Sequence, residues 1–235
     1  MRCKDTLTFI LYLLLALPVR GDNLFVFVPT DVRAKVMQQD ISVVCPNITV
    51  TVFGRGKDFR KQIKKTPPDA ILSLLPVIKR ASPFQIVIRG VQKGVIEEEY
   101  VLVSVDEPME IAKINNKKIG VVDLLGRKPM GEFVSQLFKA DIKIKRVTKQ
   151  EDLLPLLTFG SVDGIFVSKR LYQQIKNKSN LNLVYTRLDI KVGLVSAALT
   201  TAPSTATVKK SIVNCLKKFN GKINTKLGVD QWRVL

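Results

Sequence analysis

Residues 117–138, KKIGVVDLLGRKPMGEFVSQLF, decide the fold because they predict a strand, a loop and a helix in direct succession. The short run at 119–122 is apolar and rich in β-branched residues, which is typical of a strand buried on both faces. A break that contains glycine follows, and apolar residues then recur at helical spacing. The predicted buried face of this helix consists of Met130, Phe133, Val134, Leu137 and Phe138.

The loop between this strand and this helix is the first predicted ligand-facing element. A helix start presents free backbone N–H groups and the positive end of the helix dipole. Arg127 and Lys128 add two cations at the same place, so we predict ligand contacts from Asp123, Gly126, Arg127, Lys128 and Met130. The alternative is an ordinary strand-to-helix connection, in which the two cations lie in water and Asp123 only caps the turn.

Three further loops that join a strand to a helix are predicted to face the same ligand, because strand ends of an α/β sheet share one edge. Their candidate residues are Thr30 and Asp31 in the first loop, Pro76 in the second and Ser168 in the third. Thr30, Asp31 and Ser168 can also act as N-caps of the helices that follow them. Both roles stay open for these three residues.

The chain carries a large excess of positive charge. It has 235 residues, with 38 Lys and Arg against 20 Asp and Glu, a formal net charge of +18 and no His. Such a surface favours anionic partners, namely phosphate-like ligands, nucleic acid or an anionic membrane surface. Nucleic acid is the least favoured of these, because only 7% of residues are aromatic and none of the basic runs is interleaved with them.

Catalytic signatures are absent from the sequence. Without His, the chain lacks the commonest general base and a favoured metal ligand. It contains no GxSxG, HExxH, P-loop or paired-carboxylate signature. We therefore predict a protein that is not an enzyme and that holds no metal or other cofactor.

Residues 1–21 predict a secretory signal peptide, with a positive start, an apolar core at 6–17 and small residues before Asp22. An uncleaved membrane anchor is the alternative. Export would place Cys45 and Cys215 in an oxidising compartment where they can pair, although their spacing does not fix their distance. Cys215 falls on the apolar face of a predicted helix, which favours a buried thiol for it.

Strands and helices alternate twice along the chain, which predicts two α/β lobes with mostly parallel sheets. The first lobe is predicted to comprise residues 22–105 together with 192–235. The second lobe is predicted to comprise residues 106–191. Loops at the strand ends of the two lobes would then surround one cleft.

Four features of the sequence fit one pattern: the secretory signal, KKIGVVD with its helix, SVDGIFVSKRLY at 161–172 and LGVDQW at 227–232. Together they resemble a type II periplasmic solute-binding protein, nearest to the phosphate/phosphonate-type branch of ABC transporter substrate-binding proteins. The resemblance implies a second lobe inserted into the first, a hinge of two crossovers, and capture of a ligand by closure. One departure is GRKPMG at 126–131, where that branch usually carries Ser or Thr hydroxyls.

The resulting prediction is a monomeric periplasmic solute-binding protein. It would hold a small anionic solute, phosphonate-like or another oxyanion, and deliver it to the membrane subunits of an ABC importer. The alternative is an interaction or sensing protein of the same fold. That protein would dock through its basic charge onto an anionic partner or a membrane surface.

Overall fold

The computed structural model describes residues 22–201 and 205–235, so the predicted signal peptide lies outside the described residues. The strands are β1 (Asp22–Phe27), β2 (Ile48–Val52), β3 (Ala70–Leu74), β4 (Phe84–Val91), β5 (Glu97–Val105), β6 (Lys118–Val122), β7 (Lys143–Val147), β8 (Gly164–Ser168), β9 (Leu183–Gly193), β10 (Val195–Thr200) and β11 (Gln231–Val234).

The α-helices are α1 (Ala34–Val44), α2 (Gly56–Lys65), α3 (Leu75–Lys79), α4 (Arg127–Phe138), α5 (Leu153–Thr158), α6 (Lys169–Lys176), α7 (Thr205–Lys217) and α8 (Gly221–Leu227). Short 3₁₀ helices cover Ile111–Asn116 and Gln150–Asp152. Across residues 22–201 and 205–235, none of the helices combines the length and the apolarity needed to cross a bilayer.

Two sheets divide the chain into two lobes, so the predicted two-lobe α/β fold is confirmed. The first sheet has the strand order β11-β4-β10-β3-β1-β2, and the second has the order β7-β6-β8-β5-β9. The chain crosses from the first sheet to the second at residues 92–96 and returns at Leu194. The second lobe is therefore inserted into the first through two crossovers.

The boundary between the lobes was predicted after residue 105, and in the structure it lies at residues 92–96. β5 belongs to the second sheet, because it pairs antiparallel with β8 and with β9. The partners of β5 lie more than 60 residues away along the chain, so no local sequence pattern could identify them. The predicted return at 191–192 falls inside β9, just before the crossover at Leu194.

Both sheets are mixed, which corrects the expectation of mostly parallel sheets. β1 runs parallel to β2 and β3, and β6 runs parallel to β7 and β8. β10 and β5 run antiparallel to their neighbours. These two strands enter their sheets directly from the other lobe, without the crossover helix that a parallel connection requires.

The strand, loop and helix predicted at 117–138 are confirmed as β6 and α4. Met130 and Val134 of α4 are buried, and the other predicted face residues of this helix are half-buried against the same apolar cluster. The predicted face therefore packs as its spacing indicates.

A disulfide closes the core of the first lobe. Met37, Ile41 and Ile212 are fully buried there between the first sheet and the helices α1 and α7. Cys45, at the end of α1, is bonded to Cys215 of α7, with a Cα–Cα distance of 5.3 Å. The expectation of a buried thiol at Cys215 is therefore wrong. Cross-linking residues so distant in sequence stabilises a fold by about 5 kcal/mol in the chain-entropy account.

Candidate functional site

An apolar cluster runs from one lobe into the other. Phe27 and Phe59 belong to the first lobe and Leu124 and Met130 to the second, and all four are buried in this cluster. Arg60 of α2 also crosses the boundary, and its Nη1 donates to the backbone carbonyl of Leu124 at 2.6 Å. The two lobes are therefore in direct contact, as in a closed cleft.

The centre of the cleft, which we call the central space, is small. It measures about 50 Å³ and lies at the strand ends, where β3, β6, β8 and the crossovers meet. Its lining is largely apolar, and its charged residues Glu98 and Arg170 pair with each other at 3.2 Å. A water needs about 10–15 Å³ on this measure, so the central space holds a few waters and no solute of amino-acid size.

A larger cavity, which we call the side cavity, adjoins the central space. It measures about 550 Å³ and shares four lining residues with the central space: Val28, Pro29, Gln150 and Leu227. The first lobe contributes the β1–α1 loop and residues 53–54, and the second lobe contributes residues 148–151. Its volume lies within the range of about 300–1,000 Å³ that is common for small-molecule sites.

Charges of both signs line the side cavity, and they come from both lobes. Asp31 and Arg33 belong to the first lobe, and Lys149 and Glu151 to the second. Lys149 Nζ lies 2.9 Å from Glu151 Oε1, and this hydrogen bond raises the pKa of Lys149 above its usual value. Asp31 Oδ2 lies 3.5 Å from Lys178 Nζ. The side cavity can therefore meet a positive and a negative group on one solute.

The start of α1 differs from the prediction. The helix begins at Ala34 with Arg33 as its N-cap, and no side chain caps it. Thr30 Oγ1 instead accepts a hydrogen bond from the N–H of Val32 at 3.2 Å, and Asp31 is exposed. The predicted capping role of Thr30 and Asp31 is therefore wrong, and both residues line the side cavity.

The loop that starts α4 makes its own contacts. The Asp123 carboxylate accepts a hydrogen bond from the N–H of Gly126 at 2.7 Å and pairs with Arg146 at 2.7 Å. This geometry matches the alternative in which Asp123 closes the turn. Arg127 and Lys128 are exposed and line neither of the two cavities, so their role in ligand binding stays a prediction.

The remaining predicted residues lie near the central space. Met130 and Ser168 line it, and the Ser168 hydroxyl also caps α6 by accepting from the N–H of Leu171 at 3.2 Å. Pro76 lies in the first turn of α3 and lines neither cavity, although Leu74 before it lines the central space.

Sequence reasoning missed the charged residues Arg33, Lys149 and Glu151. A signal was available for the last two, because they follow the strand β7 and strand ends face ligands in α/β sheets. Within the described ranges, no group of three or more His, Cys, Asp and Glu side chains is placed to hold a metal ion.

No protein-family model and no curated protein sequence matches this chain. Solved structures do match it. A double mutant of the BvgS VFT2 domain from Bordetella pertussis aligns with a TM-score of 0.59 at 9% identity, over 88% of this chain and 91% of that one. Tv2483 bound to L-arginine aligns with a TM-score of 0.62 at 14% identity, over 89% and 92% of the two chains.

A third match is AbpA from Streptococcus pneumoniae, an amino acid ABC transporter substrate-binding protein bound to L-arginine. It aligns with a TM-score of 0.60 at 11% identity, over 88% of this chain and 93% of that one. None of the three is described with a phosphate or phosphonate, so the narrower resemblance to that branch gains no support from them. The agreement over nearly the whole of each chain shows that this protein has the two-lobe α/β fold of type II periplasmic solute-binding proteins.

Proposed function

We propose that this protein is an exported solute-binding protein, and that it holds a small solute carrying both charge signs in the side cavity. In this proposal the solute is handed to the membrane subunits of an ABC-type importer, and no reaction is catalysed. Export is inferred from the predicted signal peptide and from the disulfide, because disulfides persist in oxidising compartments.

The observation that carries the proposal is that charges of both signs line the side cavity. A simple oxyanion would gain from Arg33 and Lys149 but would be repelled by Asp31 and Glu151. A zwitterion, such as an amino acid, can place its carboxylate near the cations and its ammonium near the carboxylates. The side cavity therefore favours a zwitterion over the purely anionic solute that the net charge predicts.

The comparisons support this chemical class. Two of the similar structures are described as bound to L-arginine, which carries an α-carboxylate and cationic groups. They share the fold with this chain at low sequence identity, so their ligand serves as the first probe to test.

Thermal unfolding of the mature chain with a panel of solutes tests the proposal. The panel consists of arginine, glutamine and glutamate against phosphate, methylphosphonate and sulfate. A bound amino acid at 100 times its Kd stabilises the protein by about 2.7 kcal/mol. We expect such a shift from at least one amino acid and from none of the oxyanions, and a response confined to oxyanions would contradict the proposal.

Two pairs of substitutions locate the site. Asp31→Ala and Arg33→Ala should each weaken binding at least tenfold, about 1.4 kcal/mol, because each removes a charge from the cavity wall. The double variant Arg127→Ala, Lys128→Ala is the matched control, since these cations are exposed and line neither cavity. Loss of binding in the control with retention in the cavity variants would move the site to the start of α4.

A second candidate function is favoured by the central space. The central space is small, and an apolar cluster joins the two lobes, so the lobes can stay closed without a solute. Such behaviour is expected of an interaction or sensing protein. Small-angle scattering with and without the solutes of the panel distinguishes the two candidate functions. An unchanged radius of gyration, together with no thermal shift from any solute, favours this second function, and a solute-dependent shift excludes it.

A further inference from the structure

We infer that the outer surface of α1, α7 and α8 docks onto an anionic phospholipid membrane, and we call this surface the lysine face. Its defining residues are Lys210, Lys217, Lys218, Lys222 and Val43. The inference is independent of the solute in the cleft, because these residues line neither the central space nor the side cavity.

The charge of the lysine face is almost unopposed. α7 reads TATVKKSIVNCLK and α8 reads GKINTKL, so neither helix contains an acidic residue. The sequence of α1 contains one, Asp40. Its carboxylate lies 3.2 Å from Lys222 Nζ and 2.5 Å from Lys226 Nζ, so it is already neutralised within the face.

The helices are held side by side, which makes the face one continuous surface. The disulfide ties the end of α1 to α7. Lys218, after α7, lines one shallow depression of about 170 Å³ together with Val44 and Pro46. Asp40, four residues before Val44 and so on the same side of α1, is bonded to the lysines of α8. The lysines of α7 and those of α8 therefore lie along one side of α1.

An exposed apolar side chain projects from the end of α1. Val43, in the last turn of α1, is 82% exposed, so most of its side chain lies in solvent. Lys210, Lys217, Lys218 and Lys222 are also exposed. A surface that combines exposed cations, which attract lipid headgroups, with an exposed apolar side chain has the features of a peripheral membrane surface.

The first sheet offers a matched surface on its other side. Successive residues of a strand point to opposite faces. Leu24 and Val26 of β1 face the core under α1 and α7, whereas Phe25 and Phe27 face the cluster under α2. The exposed lysines Lys57, Lys61 and Lys64 of α2 therefore lie on the opposite side of this sheet from the lysine face.

Co-sedimentation of the mature chain with vesicles tests the inference. We expect binding to vesicles of phosphatidylcholine mixed with phosphatidylglycerol, none to phosphatidylcholine alone, and weakening in high salt. The variant Lys210→Gln, Lys217→Gln, Lys218→Gln should bind about 100-fold more weakly, at about fivefold for each lysine. The variant Lys57→Gln, Lys61→Gln, Lys64→Gln changes the net charge equally and should lose less than about threefold.

Three results would overturn the inference: no binding of the unmodified chain to the anionic vesicles, equal loss in the two triple variants, or full displacement of the vesicles by polyglutamate. The last result would assign the face to an acidic protein instead of a lipid surface. The variant Val43→Asp provides a further test of the inference. It should weaken vesicle binding severalfold while leaving the thermal stability unchanged, since the side chain is exposed.

Discussion

The central space and the side cavity lie next to each other in one cleft, yet they are built from opposite kinds of residue. The boundary beside the central space is filled by buried aromatic and aliphatic side chains, and about 50 Å³ is left open. The side cavity is eleven times larger and is lined by carboxylates and cations from both lobes. The difference indicates that one part of the cleft holds the lobes together and the other part is free to bind.

The largest expected effect comes from the part that holds the lobes together. Phe59→Ala removes a fully buried ring from the cluster shared by the lobes, and should cost about 3–5 kcal/mol of unfolding free energy. Urea denaturation measures the loss. Arg33→Ala, in the side cavity, should change the stability by less than about 0.5 kcal/mol, since the side chain is exposed. Equal losses in the two variants would remove the distinction between the two parts of the cleft.

The next effect concerns a close approach between the lobes at Gly228. This residue has φ +72°, and a Cβ there would lie 2.6 Å from a guanidinium nitrogen of Arg170 in the other lobe. Gly228→Ala should cost about 1–3 kcal/mol and increase the radius of gyration.

Gly160→Ala provides the control for Gly228→Ala. Gly160 has φ +58°, and a Cβ there would meet nothing within 4 Å, so only backbone strain is added. The difference between the two variants isolates the contact with Arg170. An unchanged radius of gyration in Gly228→Ala would show that this contact does not hold the lobes closed.

A smaller effect is expected for the hydrogen bond that crosses the boundary. Arg60→Met keeps much of the apolar stem but removes the bond to the Leu124 carbonyl, and should cost about 1 kcal/mol. Lys61→Met, on the exposed side of the same helix, is the matched control and should be neutral. Urea denaturation of both variants measures this difference, and a neutral Arg60→Met would show that the apolar cluster alone joins the lobes.

The smallest effect belongs to the charged side cavity. The hydrogen bond from Lys149 to Glu151 raises the pKa of Lys149 above its ordinary value, so its stabilising contribution is complete at neutral pH. The contribution is lost as the pH rises through the folded-state pKa. Glu151→Gln should therefore be slightly less stable than the unmodified chain at neutral pH, and the difference should vanish above that pKa.

Urea unfolding at neutral pH and at a pH above the folded-state pKa of Lys149 measures this dependence. Glu97→Gln, which changes an exposed Glu on β5, is the control. A difference for Glu151→Gln that grows with pH would contradict the assignment of the pair.

Local pattern predicted most of the elements but not the strand partners. The periodicity at 117–138 gave β6 and α4 because burial on one helix face follows from side-chain spacing. Residues 97–105 were assigned to the wrong lobe, because the partners of β5, the strands β8 and β9, come much later in the chain. The pairing of Cys45 with Cys215 likewise depends on the fold and not on their spacing.

The site was predicted only in part, for a similar reason. Thr30 and Asp31, selected by the rule that strand ends face ligands, line the side cavity, and Ser168 lines the central space. The same rule selected Arg127 and Lys128, which are exposed at the start of α4 and line neither cavity. Which strand-end loops meet across the cleft is decided by lobe closure, and a single sequence does not encode closure in any local pattern.

The disulfide makes most of the polypeptide one covalent ring. It joins residues separated by 170 positions, and the entire inserted lobe lies within the loop that it closes. A protease that cuts one exposed turn of that lobe would leave a single molecule of undiminished mass, and fragments would separate only in reductant. Proteolytic damage to the inserted lobe would therefore leave its fragments covalently tethered and able to re-associate.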